Sequence, residues 1–159
     1  DKDGKWASSG KLVEGLLDKM LNDKYFSLSK PKSTGPDYFN LDWIDKMIIK
    51  SKLKPSNKNV QATLLELTAK SIFNEIRKLP DLGSKIYFCG GGVHNDFLIQ
   101  RIEKKLGRKI LTTSNLGIDP DFLEATCFAW LAKQRLEKKY FDLSKITGSN
   151  KKVLLGTVS

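Results

Sequence analysis

Apolar residues recur at helical spacing over "KLVEGLLDKMLN" (11–22), where Leu12, Leu16 and Met20 form one stripe flanked by Leu17 and Leu21. This pattern predicts an amphipathic helix. The text then changes character: "SLSKPKSTGPDYF" gathers two prolines, a glycine and three serines, which is loop chemistry. "LDWIDKMIIK" predicts a short helix over about 41–50, and "KPSNKN" breaks it. Between Val60 and about Leu79 the positions Val60, Leu64, Leu67, Ser71, Phe73 and Ile76 keep a helical period, and Pro80 and Gly83 end it.

The second half alternates between two periods. "KIYFCGGG" sets four apolar or aromatic residues before three glycines, the pattern of a buried strand running into a turn. Asn95 is suited to cap a helix from Asp96 to Leu106, with Phe97, Leu98, Ile99, Ile102 and Leu106 as its inner face and Gly107 as its stop. "KILTT" reads as a second short strand, "SNLGIDP" as a polar loop and "DFLEATCFAWLAKQRLEKK" as a third strong helix. Strands separated by one helix imply parallel pairing with a right-handed crossover. The class is therefore α/β, with added helices on the amino-terminal side, and Trp43, Phe128 and Trp130 are expected in the core.

Composition adds bounds. A chain of 159 residues with 40% hydrophobic and 29% charged residues can bury one ordinary core or two small lobes. Cys89 and Cys127 lie far apart inside apolar segments, so they read as buried thiols of a reducing compartment, the cytoplasm. No apolar run is long enough to cross a bilayer and no charged-then-apolar leader opens the chain. "DKDGKWASSGK" starts abruptly without methionine, as a fragment would. The net charge of +10 raises nucleic-acid binding as a class. However, the lysines are spread along the whole chain, and aromatic residues are not interleaved with them as stacking platforms, which favours a solvated lysine surface.

The candidate chemistry centres on Gly90, Gly91 and Gly92. Loops at the carboxyl ends of parallel strands form the natural ligand crevice, and glycines there admit positive φ and let a phosphate or ribose approach the amides. A tight strand-to-helix turn without a ligand would use the same residues, and the triplet is neither a spaced GxGxxG nor a GxxxxGK[ST] fingerprint. His94, the single histidine, reads as a loop or capping residue rather than a catalytic acid or base. Asp119 and Asp121 flank Pro120 as helix-start chemistry rather than as metal ligands.

Wider stretches carry a resemblance. "FCGGGVHNDFLIQRIEKKL", "TTSNLGIDPDFLEATCFAWLA" and "ITGSNKKVLLG", with "DKDGKWASSGK", "PKSTGPDYF" and "VQATLLELTA" upstream, closely resemble the carboxyl-terminal half of the anhydro-N-acetylmuramic acid kinases, in one order over nearly all 159 residues. The resemblance implies the carboxyl-terminal lobe of an actin-like, ribonuclease H-like ATPase fold, a mixed sheet with flanking helices. Residues 1–80 would be its mainly helical part, with the PKSTG loop, and 81–159 its α/β nucleotide-contacting part. It also implies conversion of 1,6-anhydro-N-acetylmuramic acid, water and ATP with Mg²⁺ to N-acetylmuramic acid 6-phosphate in bacterial peptidoglycan recycling. A homodimer is suggested, with no nucleic-acid or membrane partner.

By the same resemblance Gly90, Gly91, Gly92 and Asn95 would lie against the nucleotide. Glu124 would bond the anhydro-sugar, unless it only caps its helix. Lys32, Ser33 and Thr34, followed by Gly35, would bind an anion such as the lactyl carboxylate, unless they form an ordinary turn. Asp1, Asp3 and Gly4 also match. The family's amino-terminal phosphate loop and catalytic aspartate would precede Asp1, so no catalytic residue is assigned here, and the chain alone is expected to be inactive. The alternatives are a non-catalytic nucleotide-binding domain of the same fold and, more remotely, a basic nucleic-acid-binding protein.

Overall fold

The computed structural model describes residues 1–81 and 83–157. A 3-10 turn, Lys2–Gly4, leads into α1 (Lys5–Ser8), and the Asp1 carboxylate accepts the Trp6 and Ala7 amides at 2.8 and 3.0 Å. Then come α2 (Glu14–Leu21), α3 (Lys24–Ser27), α4 (Leu41–Ser51) and α5 (Asn57–Ile76). The apolar stripe of α2 does what its period predicts. Leu16, Leu17 and Met20 close on Trp43 and Met47 of α4 and Leu67 of α5, which bears out Trp43 as core. The long helix ends at Ile76 instead of Leu79. Its last amides turn back through shorter i→i+3 bonds, and Leu79 is exposed, so no burial holds another turn.

Asp23 fixes the return of the proline- and glycine-containing loop. Its carboxylate accepts from the Tyr25 amide at 2.9 Å, the Tyr38 hydroxyl at 2.7 Å and the Trp43 indole at 2.9 Å. Partial burial would raise its pKa, but these three donors outweigh it and hold the group below the usual carboxylate range.

In the second half β1 (Tyr87–Phe88), α6 (Asp96–Leu106), β2 (Leu111–Thr112), α7 (Leu123–Leu136) and α8 (Ser144–Thr147) follow in order. The two strands pair in parallel, Tyr87 opposite Leu111 and Phe88 opposite Thr112. The architecture is thus α/β but mostly helical. In place of the expected mixed sheet the described residues form a two-stranded parallel one, with a separate antiparallel bridge between Phe141 and Val153. β1 is correspondingly half-buried, not buried: among the described residues it pairs with β2 alone, and its other edge has no strand beside it.

The two halves are joined by α5 and α6. Ile102 of α6 is fully buried, and Glu66 of α5, 4% exposed, accepts from Arg101 at 2.7 Å and Lys105 at 2.5 Å. One buried carboxylate therefore fixes the seating of α6 from the opposite helix.

Three sequence expectations fail on α7 and beside β1. Phe128 and Trp130 are 63% and 49% exposed rather than core, and Cys89 and Cys127 are both free and exposed rather than buried. The reason is common to Phe128, Trp130 and Cys127: α7 is apolar on several sides, and such a helix needs cover on several sides. Among the described residues only part of it is covered.

Candidate functional site

The parallel pairing of β1 and β2 brings two loops to the same end of the sheet. The turn after β1 runs through Gly90 into a 3-10 turn, Gly91–His94, and Asn95 then caps α6 by accepting the Leu98 amide at 2.9 Å. The loop after β2 forms a second 3-10 turn, Thr113–Leu116, closed by a capping box between Thr112 and Asn115, and leads through Asp119 and Pro120 to α7. The loops are tied together where the Gly90 amide donates to the Pro120 carbonyl at 2.9 Å. Between them lies a shallow cleft of about 610 Å³ with an apolar wall of Val93, Ile118 and Pro120 and polar groups from His94, Thr112, Asp119 and Asp121.

The three glycines are not equivalent. Gly90 has φ +76°, a conformation L side chains rarely adopt, so the chain's own turn requires glycine there. Gly91 and Gly92 show no such φ, and a Cβ built on either would meet nothing within 4 Å. Neither backbone conformation nor packing within the chain accounts for these two. The space a side chain would fill at either position is open.

Asn95 is confirmed as a cap and has a further neighbour. Gly4, at φ +75°, comes so close that a Cβ there would lie 2.2 Å from the Asn95 side-chain oxygen and 2.7 Å from the Phe97 Cβ. The Asp1–Gly4 stretch thus buttresses the amino-terminus of α6 from beneath. Proximity across more than 90 residues has no periodic signature; the only hint in the sequence is the glycine itself.

The other candidate residues stand elsewhere or play other parts. Glu124 lies in the first turn of α7 and is exposed, directly after the cleft loop. Lys32 is on the far side of the sequence, at the PKSTG loop, where its ammonium bonds Glu75 of α5 at 3.1 Å and sits 5.1 Å from the Tyr25 ring centre. Lys78 bonds the same carboxylate at 2.8 Å. That bond, opposed by partial burial and aided by Lys32, brings the Glu75 pKa down to about 2. Lys30 lies 3.7 Å from the same carboxylate, so Lys32 is paired within the chain while the cluster as a whole keeps a net positive charge. Ser33 and Thr34 are exposed, and Thr34 edges an aromatic-lined pocket of about 430 Å³ with Tyr25, Phe39 and Trp43. The cleft and the PKSTG loop share no lining residue.

Sequence reading separated two residues that the fold unites. His94 Nε2 lies 2.9 Å from both carboxylate oxygens of Asp121, while the Asp119 side chain accepts the Asp121 amide at 2.9 Å. Asp119 therefore shapes the loop before α7 and leaves Asp121 free to pair across the cleft. Among the described residues no three His, Cys, Asp or Glu side chains converge on a metal position.

A family model for anhydro-N-acetylmuramic acid kinase matches residues 1–159. Curated proteins of that name are similar: the one from Coxiella burnetii is 44% identical over 99% of this chain and 42% of its own length. The relatives from Nitrosomonas europaea and Mannheimia succiniciproducens are 40% and 41% identical, again over 99% of this chain and over 43% and 44% of theirs. The chain spans about two fifths of the length of the curated relatives it matches.

Proposed function

Because the chain belongs to the anhydro-N-acetylmuramic acid kinase family, we propose that it is the nucleotide-contacting lobe of an ATP-dependent, cytoplasmic kinase. That kinase converts 1,6-anhydro-N-acetylmuramic acid and water to N-acetylmuramic acid 6-phosphate in peptidoglycan recycling. The fold we assign is the carboxyl-terminal lobe of the actin-like ATPases, with 1–80 as its helical part and 81–159 as its nucleotide-contacting part. One observation carries the nucleotide reading: the chain itself gives no reason for glycine at 91 and 92, where a Cβ would meet nothing within 4 Å, in the same turn as the cleft-lining Val93 and His94. A ribose or phosphate resting on that backbone supplies the reason.

The residues present fit such a ligand. Gly90 sets the bend, Gly91 and Gly92 leave the backbone bare, and Asn95 holds the start of α6 so that the bend keeps its place. Val93, Ile118 and Pro120 offer the apolar wall a purine needs. ATP, when bound, supplies the γ-phosphoryl group that the sugar oxygen receives as the anhydro ring opens. Mg²⁺ belongs with its phosphates, because a metal of this kind is held by one or two carboxylates and the nucleotide instead of a protein cage. Glu124, exposed in the first turn of the helix that follows the cleft loop, is our candidate for the sugar. The PKSTG loop, with Lys32 paired to Glu75, acts by its shape through Ser33 and Thr34.

The exposed apolar residues of α7 and of Phe122 just before it support a partner. Phe122, Phe128, Trp130 and Leu136 are 64%, 63%, 49% and 73% exposed, and burial of each would contribute about 1.5–3 kcal/mol. We place there the other lobe of the kinase, the part of the relatives' length not represented in this chain, which would bring the catalytic carboxylate. A homodimer contact is the remaining use for this surface. No helix among the described residues is long and apolar enough to cross a membrane. The two free, exposed thiols fit the reducing cytoplasm.

Two measurements test the proposal. Calorimetric titration with MgATP should show binding to the wild-type chain and weaker binding to Gly91→Ala and Gly92→Ala, with unchanged thermal midpoints. Equal affinity in all three would mean that the bare amides meet no nucleotide. Joining the chain to the remaining part of the Coxiella burnetii relative should yield phosphorylation of the anhydro-sugar, and a well-folded hybrid without turnover would count against the kinase.

A further inference from the structure

Two ties fasten the glycine turn to the loop before α7, and they differ in kind. At the start of the turn the Gly90 amide meets the Pro120 carbonyl at 2.9 Å, a backbone bond that pH does not touch. At its end the tie is His94 Nε2, 2.9 Å from each oxygen of Asp121, and it is an ion pair only while the imidazole carries a second proton. The titratable side chains lining the cleft are His94, Asp119 and Asp121. A neutral His94 leaves two carboxylates on the wall without a cationic partner among those side chains, and a protonated one neutralises Asp121 and strengthens the tie.

Resting on the nucleotide reading above, we propose that His94 is a positioning residue of this site. Its bridge to Asp121 holds the glycine turn in place and offsets one of two carboxylates that would otherwise repel an anionic nucleotide. The cleft then accepts the nucleotide best when the imidazole is protonated.

The experiment has two arms. In the first, the ¹⁵N-labelled chain is titrated from pH 5 to 8.5 without nucleotide. The amide signals of Gly90, Gly91 and Gly92 should move with the same midpoint as the His94 imidazole, and stop moving with it in Asp121→Asn. In the second, MgATP affinity is measured calorimetrically over the same range. Wild-type affinity should fall about threefold to tenfold more than that of His94→Gln as pH rises. The protonation of ATP itself is common to both proteins and cancels. At pH 8.5 Asp121→Asn should bind MgATP more tightly than the wild type does at the same pH, and its affinity should follow pH with a different slope.

Equal pH slopes in wild type and His94→Gln, or glycine amides indifferent to the imidazole, would overturn the proposal. A wild-type chain that binds no MgATP at any pH would instead remove the nucleotide reading. The amide titration would then decide by itself whether His94 positions the turn.

Discussion

Substituting Gly4 by alanine should damage a site more than 80 residues away in sequence. The added Cβ would fall 2.2 Å from the Asn95 side-chain oxygen, 2.7 Å from the Phe97 Cβ and 3.2 Å from the Asn95 side-chain carbon. Three costs apply. Gly4 has φ +75°, where an L residue loses about 1–2 kcal/mol. Overpacking against Phe97, whose Cβ cannot swing away, costs about 1–3 kcal/mol. The Asn95 oxygen could retreat, but it caps α6 by accepting from Leu98, and losing that cap costs about 1 kcal/mol. These costs overlap, so the expected loss is about 2–4 kcal/mol in urea unfolding, a large fraction of an ordinary domain's stability. Asn95→Ser should relieve part of the clash, so Gly4→Ala should cost at least about 1 kcal/mol less in that background. Gly91→Ala, whose Cβ would meet nothing within 4 Å, serves as the control and should change stability by less than about 0.5 kcal/mol. If Gly4→Ala unfolds at the wild-type midpoint, the packing of the first residues beneath Asn95 is not as described.

Glu66→Ala leaves Arg101 and Lys105 without their buried partner. Because those side chains are 30% and 21% exposed and can turn to water, the loss should fall below that of a sealed pair, about 1–3 kcal/mol by urea unfolding. The Glu75 carboxyl, at about 2 in the folded chain, lies below its unfolded value near 4.5, so its bonds to Lys78 and Lys32 stabilise the fold above pH 4.5. That contribution should fade as pH drops from about 4.5 toward 2, and Glu75→Gln should flatten the decline in urea midpoint between pH 5 and pH 3. An unchanged slope would exclude the ion cluster as the cause. Both cysteines should react with Ellman's reagent in the folded chain without denaturant, and a native count below two would contradict their exposure.

Three helices of the first half, α2, α4 and α5, were legible because each writes its buried stripe into its own sequence, whereas the four-residue α1 and α3 are too short to carry one. Leu16 and Met20 on α2, Trp43 and Met47 on α4 and Leu67 on α5 recur at the spacing that their common core demands. Asn95 and Gly107 likewise announce the ends of α6 through local chemistry, a side-chain acceptor and a left-handed stop. Parallel pairing of β1 and β2 followed from the single helix between them. In the candidate site only the glycine turn could be read in this way. His94 and Asp121 looked like separate loop residues, since a side-chain pair across two loops leaves no period in either.

Local pattern by itself determined the longer helices, both short strands and the bare turn after the first strand, because these depend on neighbours within a few residues. It gave neither the four-residue α1, α3 and α8 nor the true end of α5. The tertiary structure decided what meets what. It set Gly4 under Asn95 and Glu66 between Arg101 and Lys105, brought His94 to Asp121, and left Phe128, Trp130 and both thiols exposed. Apolar character states that a residue gains by burial. Whether anything buries it depends on which distant segments the fold brings alongside, and no window of sequence contains that information.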